Sequence, residues 1–275
     1  MRKKLATILT CAALSVSLAA CGQQQAASSE SNDQAAETQQ TVESEDAAES
    51  EEQVDAAGDA TTAATAPMGT VANNIADDED ALVATYADKF TQETYTDADT
   101  GLSVTYNLFL PEGYDESASY PMVVFIADSS CAGADATRSL TQGLGALVWA
   151  TDEWQAAHPT IVCVPTYPET ILDDHGSYTT TEYVELTRRL IDSVTSTYAV
   201  DASRIYGTGQ SMGCMTTLIL ASEYPDLYAG CMFVDGQWDV SVLGGLEGQR
   251  FVYFAAEDDQ SAFSGMSEVK EMFDN

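Results

Sequence analysis

The stretch from Arg204 to Met215 limits the possible folds of this chain more than any other. It reads RIYGTGQSMGCM, with an apolar run before the serine and a helical pattern after it. A strand that turns into a helix within a few residues crowds the backbone, and Gly209 and Gly213 leave out the side chains that would clash there. The G-x-S-x-G pattern therefore predicts a strand–turn–helix elbow with Ser211 exposed at its tip.

A serine at this position has the surroundings that nucleophilic attack requires. The first backbone N–H groups of the helix point back at the turn, so the Met212 amide can donate to an oxyanion. A Gly-rich turn that merely packs a helix on a sheet is the competing interpretation. The flanking patterns favour the elbow, because residues 204–207 suit a buried strand and residues 212–224 a helix that Pro225 closes.

Apolar runs alternate with helical patterns along the rest of the chain. Strands are predicted over residues 90–97, 102–110, 121–127, 160–165, 230–234 and 250–255, and helices over residues 137–157, 182–198 and 264–273. An opening hairpin followed by alternating strands and helices predicts an α/β fold with a mostly parallel, doubly wound sheet. Ligands bind such sheets at the carboxyl ends of the strands, where the elbow also lies.

The N-terminus has the layout of an export signal. Three basic residues precede an apolar run over residues 5–20, which ends in Leu18-Ala19-Ala20-Cys21. The run is shorter than the roughly 20 apolar residues of a membrane span, so residues 1–20 are predicted to be a signal peptide. The last four residues resemble the lipobox of bacterial lipoproteins, which implies lipidation of Cys21 and an extracytoplasmic, membrane-anchored protein. Ordinary cleavage after Ala20 is the alternative.

Residues 21–70 are predicted to form a disordered acidic tether. Residues 22–66 contain no aromatic residue and no positive charge, so this segment cannot bury enough apolar surface to fold. Residues 71–275 remain, which is enough for one domain with a sizeable core. The formal net charge of −34 argues against nucleic acid as a partner.

Three stretches carry a family resemblance from about residue 90 to the end. They read YNLFLPEGYDESASYPMVVFIADSS, DASRIYGTGQSMG and EYPDLYAG. They resemble serine esterases of the α/β-hydrolase fold, in the polyhydroxybutyrate-depolymerase-like and feruloyl-esterase-like group with its prolyl-oligopeptidase-like relatives. The resemblance implies that Ser211 is the nucleophile and that Met212 supplies one oxyanion N–H. A second N–H is then expected after the strand at 121–127, from Asp128 or Ser129.

The same resemblance implies the chain order serine, acid, histidine. The acid is then expected after the strand at 250–255, where Asp259 is the first candidate, Asp258 its rival and Asp235 a more distant choice. Adjacent carboxylates are also common in loops that are merely solvated.

A serine nucleophile needs a general base, which in this fold is a histidine after the acid. The chain has two histidines, His158 and His175, and both precede Ser211. His158 is predicted to be an exposed helix end, and His175 a loop residue, a substrate contact or a substitute base. Chain order instead implies a base beyond residue 275. The domain is then expected to be truncated at its C-terminus, with an unfinished sheet. The 275-residue form of the protein is expected to be inactive.

Three further side chains are candidates for substrate binding. Gln210, Gln237 and Trp238 flank the elbow or follow the next strand, where they would line an acyl pocket. Core packing is an equally good interpretation for Trp238.

The cysteines match no zinc motif, and neither a metal nor an organic cofactor is expected. Cys163 and Cys214 are predicted to be buried free thiols because they lie in an apolar strand and behind the elbow. A disulfide that involves Cys131 or Cys231 stays open.

The sequence thus predicts a lipid-anchored serine hydrolase that cleaves small or polymeric carboxylic esters. A serine peptidase of the same fold is the near alternative. The alternative from another class is a non-catalytic surface lipoprotein that binds envelope or glycan ligands. The missing histidine favours that alternative and the elbow counts against it. The oligomeric state is left open.

Overall fold

The computed structural model describes residues 75–274, with side chains from residue 79 onward. The predicted signal peptide, the lipidation site at Cys21 and the acidic tether lie outside the described residues. The described residues belong to one compact unit, Met68–Asn275. In that part of the chain, no helix has both the length and the apolar character needed to cross a membrane.

Six α-helices and nine strands are found in the described residues. The helices are α1 (Ile75–Tyr86), α2 (Arg138–Thr141), α3 (Asp152–Ala157), α4 (Glu182–Thr197), α5 (Met212–Glu223) and α6 (Gln260–Asp274). The strands are β1 (Thr91–Thr96), β2 (Ser103–Phe109), β3 (Tyr120–Ile126), β4 (Ile161–Thr166), β5 (Leu172–Asp173), β6 (Thr179–Thr180), β7 (Val200–Gln210), β8 (Gly230–Val234) and β9 (Phe251–Phe254). Short 3₁₀ helices join several of these elements, among them Ser129–Cys131 after β3 and Leu147–Ala150 before α3.

Seven strands form one sheet in the order β1-β2-β4-β3-β7-β8-β9. The pairs β1–β2 and β2–β4 are antiparallel, and β4–β3, β3–β7, β7–β8 and β8–β9 are parallel. The predicted opening hairpin and mostly parallel sheet are therefore confirmed. The loops after β3, β4, β7, β8 and β9 all leave the sheet at the same edge, which is where the site is built.

The core lies on both faces of the sheet. In β4, Ile161 and Cys163 pack into a cluster with α4 and α5, whereas Val162 and Val164 pack into a cluster with Phe125. Successive side chains of a strand point to opposite faces, so an uninterrupted apolar run is what a strand covered on both sides requires. All six residues of β4 are buried, which fixes the sheet as the middle layer of the domain.

Some element predictions were wrong in detail. The single helix predicted over 137–157 is broken into α2, the 3₁₀ helix Leu147–Ala150 and α3. Gly143 adopts a φ of +71°, which is outside the helical range, so the helix cannot continue through it. Gly145 packs directly on β3, since a Cβ there would lie 2.1 Å from the Phe125 ring. The last helix begins at Gln260 rather than residue 264, and neither α1 nor the β5–β6 hairpin was predicted.

Candidate active site

Ser211 lies at the tip of a strained turn between β7 and α5. Its backbone has φ 52° and ψ −117°, a conformation that costs a non-glycine residue about 1–3 kcal/mol. Two hydrogen bonds hold it there: its N–H donates to the Val234 carbonyl at 3.1 Å, and its carbonyl accepts from the Met215 N–H at 3.0 Å. The predicted strand, turn and helix are confirmed.

The two glycines of the motif are required by close backbone approach. A Cβ at Gly213 would lie 1.8 Å from the Ile126 carbonyl oxygen, and one at Gly209 would lie 2.4 Å from the carbonyl carbon of Gly213. Gly236, after β8, has the same constraint, since its Cβ would lie 2.7 Å from the Ser211 carbonyl oxygen. The sequence pattern gave no reason to single out Gly236, because Ser211, whose carbonyl oxygen it approaches, is distant along the chain.

Backbone donors for an oxyanion are available on one side of the serine. Met212 is the first residue of α5, so its N–H has no acceptor within the helix. Ser129 begins the 3₁₀ helix after β3 and lines the same cleft as Ser211. The Asp128 carboxylate instead accepts from the Ser130 N–H at 2.7 Å, and Asp128 faces a separate small cavity. Of the two residues considered for the second donor, Ser129 has the better position.

A cleft of about 310 Å³ opens over the serine. Its lining residues are Ser129, Thr170, Leu172, Asp173, Asp174, His175, Ser211, Met212 and Met215. His175 lies in the loop between β5 and β6 and lines the cleft from there. His158 does not line this cleft: it is exposed at the C-terminal end of α3, as predicted, with its ring 4.9 Å from that of Trp154.

Asp174 links the loop between β5 and β6 to the loop after β8. Its Oδ1 lies 2.8 Å from His175 Nδ1, and its Oδ2 accepts from Gln237 Nε2 on the loop after β8. The Asp174 side chain is 17% exposed, whereas that of His175 is 87% exposed. The carboxylate is therefore held in place while the imidazole faces the solvent-filled cleft.

Asp173, Asp174 and His175 are also the set that could hold a metal ion within the described part of the chain. Each offers one ligand atom, and these atoms lie within 4.8 Å of one another. Both oxygens of Asp174 are already hydrogen-bonded, to His175 and Gln237. In this arrangement the three residues form a hydrogen-bonded group on the wall of the cleft.

Two of the three carboxylates considered as the catalytic acid have other contacts. Asp259 accepts from the Ala262 N–H at 3.1 Å, which is a helix-capping bond at the start of α6. Asp235 has a φ of 44° and accepts from the Ala256 N–H at 2.6 Å. Neither of these residues, nor Asp258, lines the cleft that holds Ser211. The role of Asp259 or Asp258 as the acid stays a prediction.

A second cleft of about 580 Å³ adjoins the first and shares Asp174 and His175 with it. Trp238 lines this second cleft, yet it is only 5% exposed and belongs to the core. Core packing is therefore confirmed for this residue, and its contact with an acyl group stays a prediction. Its ring packs edge-on against Tyr178, with centroids 5.2 Å apart. Gln237 also lines the second cleft, whereas Gln210, the last residue of β7, lines neither.

The cysteines take no part in this chemistry. Cys131, Cys163, Cys214 and Cys231 are all buried and free in the described residues, which confirms the prediction for Cys163 and Cys214. Burial raises the pKa of the Cys214 thiol, which lies behind the elbow, to about 12. A thiol in such surroundings is inert as a nucleophile.

A mostly parallel sheet that carries a strained serine between a strand and a helix defines the α/β-hydrolase fold. A solved structure described as a thermostable esterase has this fold. It superposes with a TM-score of 0.64 and 27% identity over 69% of this chain and 52% of its own length. More particularly, residues 98–242 match the family described as putative esterase, which is over half of the chain, so the chain belongs to that family.

Two curated relatives match shorter stretches. Poly(3-hydroxyalkanoate) depolymerase C of Paucimonas lemoignei is 35% identical over 49 residues, which cover 18% of this chain and 12% of the relative. Feruloyl esterase B of Talaromyces funiculosus is 34% identical over 67 residues, which cover 24% of this chain and 18% of the relative. The matched stretches therefore span less than a fifth of either relative.

Proposed function

We propose that this protein hydrolyses carboxylic esters with Ser211 as the nucleophile. The observation that carries the proposal is the serine itself, held at φ 52° between β7 and α5 and open to a cleft. Strain of this kind persists only where the surrounding structure enforces it, and it collects at functional sites. Membership of the putative esterase family supports the same conclusion.

The proposed reaction begins when the Ser211 hydroxyl attacks the ester carbonyl. The negative charge that develops on the carbonyl oxygen is stabilised by the Met212 N–H and by a backbone donor near Ser129. Donors fixed in advance are effective because they need no reorganisation as the charge appears. The remaining requirement is a histidine that accepts the serine proton.

The substrate proposed is a small or polymeric ester whose two parts occupy the two adjoining clefts. Their volumes, about 310 and 580 Å³, suit an acyl or alcohol part of moderate size on each side of the scissile bond. The names of the relatives point to polyester and feruloyl ester substrates, and both are carboxylic esters. The residues proposed to contact the larger part are His175, Gln237 and Trp238.

The location proposed for this hydrolase is the outer side of a bacterial membrane, through a lipid on Cys21. The basic start, the apolar run over residues 5–20 and the Leu18-Ala19-Ala20-Cys21 ending support it. An acidic segment would then separate the enzyme from the membrane surface.

The nucleophile is tested with a fluorophosphonate probe and a short-chain aryl ester. We expect labelling of the wild-type chain and none of Ser211→Ala, and ester turnover that disappears with the same substitution. Labelling that survives Ser211→Ala would refute the assignment. Peptide amides assayed beside the ester separate a peptidase from an esterase. A chain that neither labels nor turns over would point to a hydrolase-fold protein that only binds its ligands.

A further inference from the structure

Tyr178 adopts a backbone conformation that is rare for a tyrosine. Its φ is +45°, one of three positive values at non-glycine residues in the described part of the chain, the others being at Ser211 and Asp235. A bulky residue at positive φ is strained, and such strain persists only where the surrounding structure enforces it. The proposed reaction accounts for the strain at Ser211 but not for that at Tyr178.

The contacts around Tyr178 fix both its backbone and its ring. Tyr178 is the last residue before β6, and the pairing of β6 with β5 closes the loop that ends there. In the same loop, Asp174 accepts a hydrogen bond from Gln237. The Tyr178 ring packs edge-on against that of Trp238, with centroids 5.2 Å apart. Because Trp238 is only 5% exposed, the ring behind Tyr178 is itself held in the core.

The Tyr178 ring forms part of the wall of the second cleft. Its side chain is 40% exposed, and it lines the cleft of about 580 Å³. That cleft shares Asp174 and His175 with the cleft over Ser211. A substrate whose ester group lies at Ser211 can therefore extend its larger part along the Tyr178 ring.

The lining of the second cleft suits a ring that carries hydroxyl groups. Tyr178 and Trp238 supply aromatic surface, on which another ring packs well. Most of the other lining side chains are amides, hydroxyls or carboxylates, which can form hydrogen bonds with groups at the edge of that ring. They include Gln237, Gln260, Ser261, Ser264 and Glu268. A straight hydrocarbon chain would cover these polar groups without bonding to them, which weakens binding.

We propose that Tyr178 is a specificity-determining residue, against which a hydroxylated ring of the ester substrate packs. The proposal rests on the proposed function, because it takes the ester group to lie at Ser211. The conformation that strains the Tyr178 backbone is the one that presents its ring to the cleft. Tyr178 takes no part in bond breaking, so it acts on KM rather than on kcat.

The test compares esters that have such a ring with straight-chain esters. Methyl phloretate has a phenolic ring in its acyl part, and the monoacetate of methyl glucopyranoside has a sugar ring in its alcohol part. Methyl hexanoate and hexyl acetate are the straight-chain counterparts. A contact with an aromatic ring contributes about 3- to 10-fold, so Tyr178→Ala should raise KM of a ring ester by that factor, with kcat and the straight-chain esters little changed. The ring ester that responds identifies the part of the substrate that enters the second cleft.

Two further substitutions of Tyr178 separate its ring from its strain. Tyr178→Phe keeps the ring and should keep the wild-type KM. Tyr178→Gly loses the ring but adopts positive φ without strain. Its thermal midpoint should therefore match or exceed that of Tyr178→Ala, while KM of the ring ester rises as it does in Tyr178→Ala.

Tyr206→Ala is the matched control. Tyr206, in β7, is also 40% exposed, but it lines neither of the two clefts. This substitution should leave all four KM values unchanged.

The failures of the two proposals look different. Ser211-dependent turnover with the same KM values in wild type and Tyr178→Ala would overturn the role of Tyr178 and keep the esterase. A thermal midpoint of Tyr178→Gly far below that of Tyr178→Ala, with all four esters affected alike, would also overturn it, in favour of a structural role.

Binding gives the same comparison without turnover. In Ser211→Ala, which leaves the esters intact, titration calorimetry should show that adding Tyr178→Ala weakens binding of a ring ester by the same factor. Binding that depends on Tyr178, without turnover that depends on Ser211, would refute the esterase and keep the ring contact. The absence of both would refute both proposals.

Discussion

At the scale of single residues, backbone crowding explains why the elbow has the sequence it has. Gly213 lies against the last carbonyl of β3, and the strained Ser211 is possible only because that contact lets α5 begin next to the sheet. The glycine therefore supports the fold and the serine at once. A substitution there should be costly in a way that most glycine substitutions are not.

We expect Gly213→Ala to destabilise the domain by about 3 kcal/mol or more, because the new Cβ would lie 1.8 Å from a backbone oxygen that cannot move freely. Gly248→Ala is the matched control, since a Cβ at that position meets nothing within 4 Å and needs no positive φ. Urea unfolding followed by circular dichroism measures both. Equal midpoints for the two variants would show that α5 can shift away from β3.

At the scale of elements, the sequence predicted best what local periodicity determines. The run around β4 and the apolar stripe of α4 appeared as expected, because burial on two faces or on one helical face leaves a visible pattern. The β5–β6 hairpin left no such pattern, since each of its strands has two residues.

The residues of the candidate site also differ in whether a local sequence pattern could predict their positions. Ser211 and Met212 were predictable because the elbow is one continuous stretch of chain. The contact of His175 with Asp174 follows from the hairpin, and that of Asp174 with Gln237 joins positions 63 residues apart. Such contacts depend on tertiary structure, which no short sequence window contains.

Between elements, Asp97 ties the β1–β2 hairpin to α4. Its carboxylate accepts from the Thr100 hydroxyl and N–H at 2.7 and 2.9 Å, and from Arg189 at 2.9 Å. The bonds from Thr100, followed by the Arg189 guanidinium, lower the pKa of Asp97 to about 2. The Asp97 side chain is only 6% exposed, so these hydrogen bonds lie at the junction of the β1–β2 hairpin and α4.

A carboxyl whose pKa is lower in the folded than in the unfolded state stabilises the fold above the unfolded value, about 4, and loses that effect as pH falls toward 2. We therefore expect wild-type stability to exceed that of Asp97→Asn at pH 6 and the gap to narrow between pH 4 and 2. Asp226→Asn, at an exposed position, is the control and should follow the wild type. Denaturant unfolding at several pH values gives the comparison. A gap that stays constant down to pH 2 would show that Asp97 acts by packing rather than by charge.

At the scale of the whole molecule, the domain should be independent of what precedes it. The described fold begins with α1 at Ile75, and residues 22–66 supply no aromatic side chain that could pack on it. We expect a chain that starts at residue 71 to keep its thermal midpoint within a few degrees, which corresponds to about 1 kcal/mol. Differential scanning calorimetry of both chains measures this. A much larger drop would show that the acidic segment stabilises the domain.

The proposed attachment to the membrane should instead depend on one residue of the N-terminal segment. A lipid anchor with two or more acyl chains holds a protein firmly, whereas the acidic segment after Cys21 offers no attraction to anionic lipid. We expect Cys21→Ser to move the protein from the membrane to the soluble fraction, and Ser28→Ala, a few residues along, to leave it in place. Fractionation of the bacterial host followed by immunoblotting measures both. A Cys21→Ser protein that stays with the membrane would mean that the apolar run over residues 5–20 is retained as the anchor.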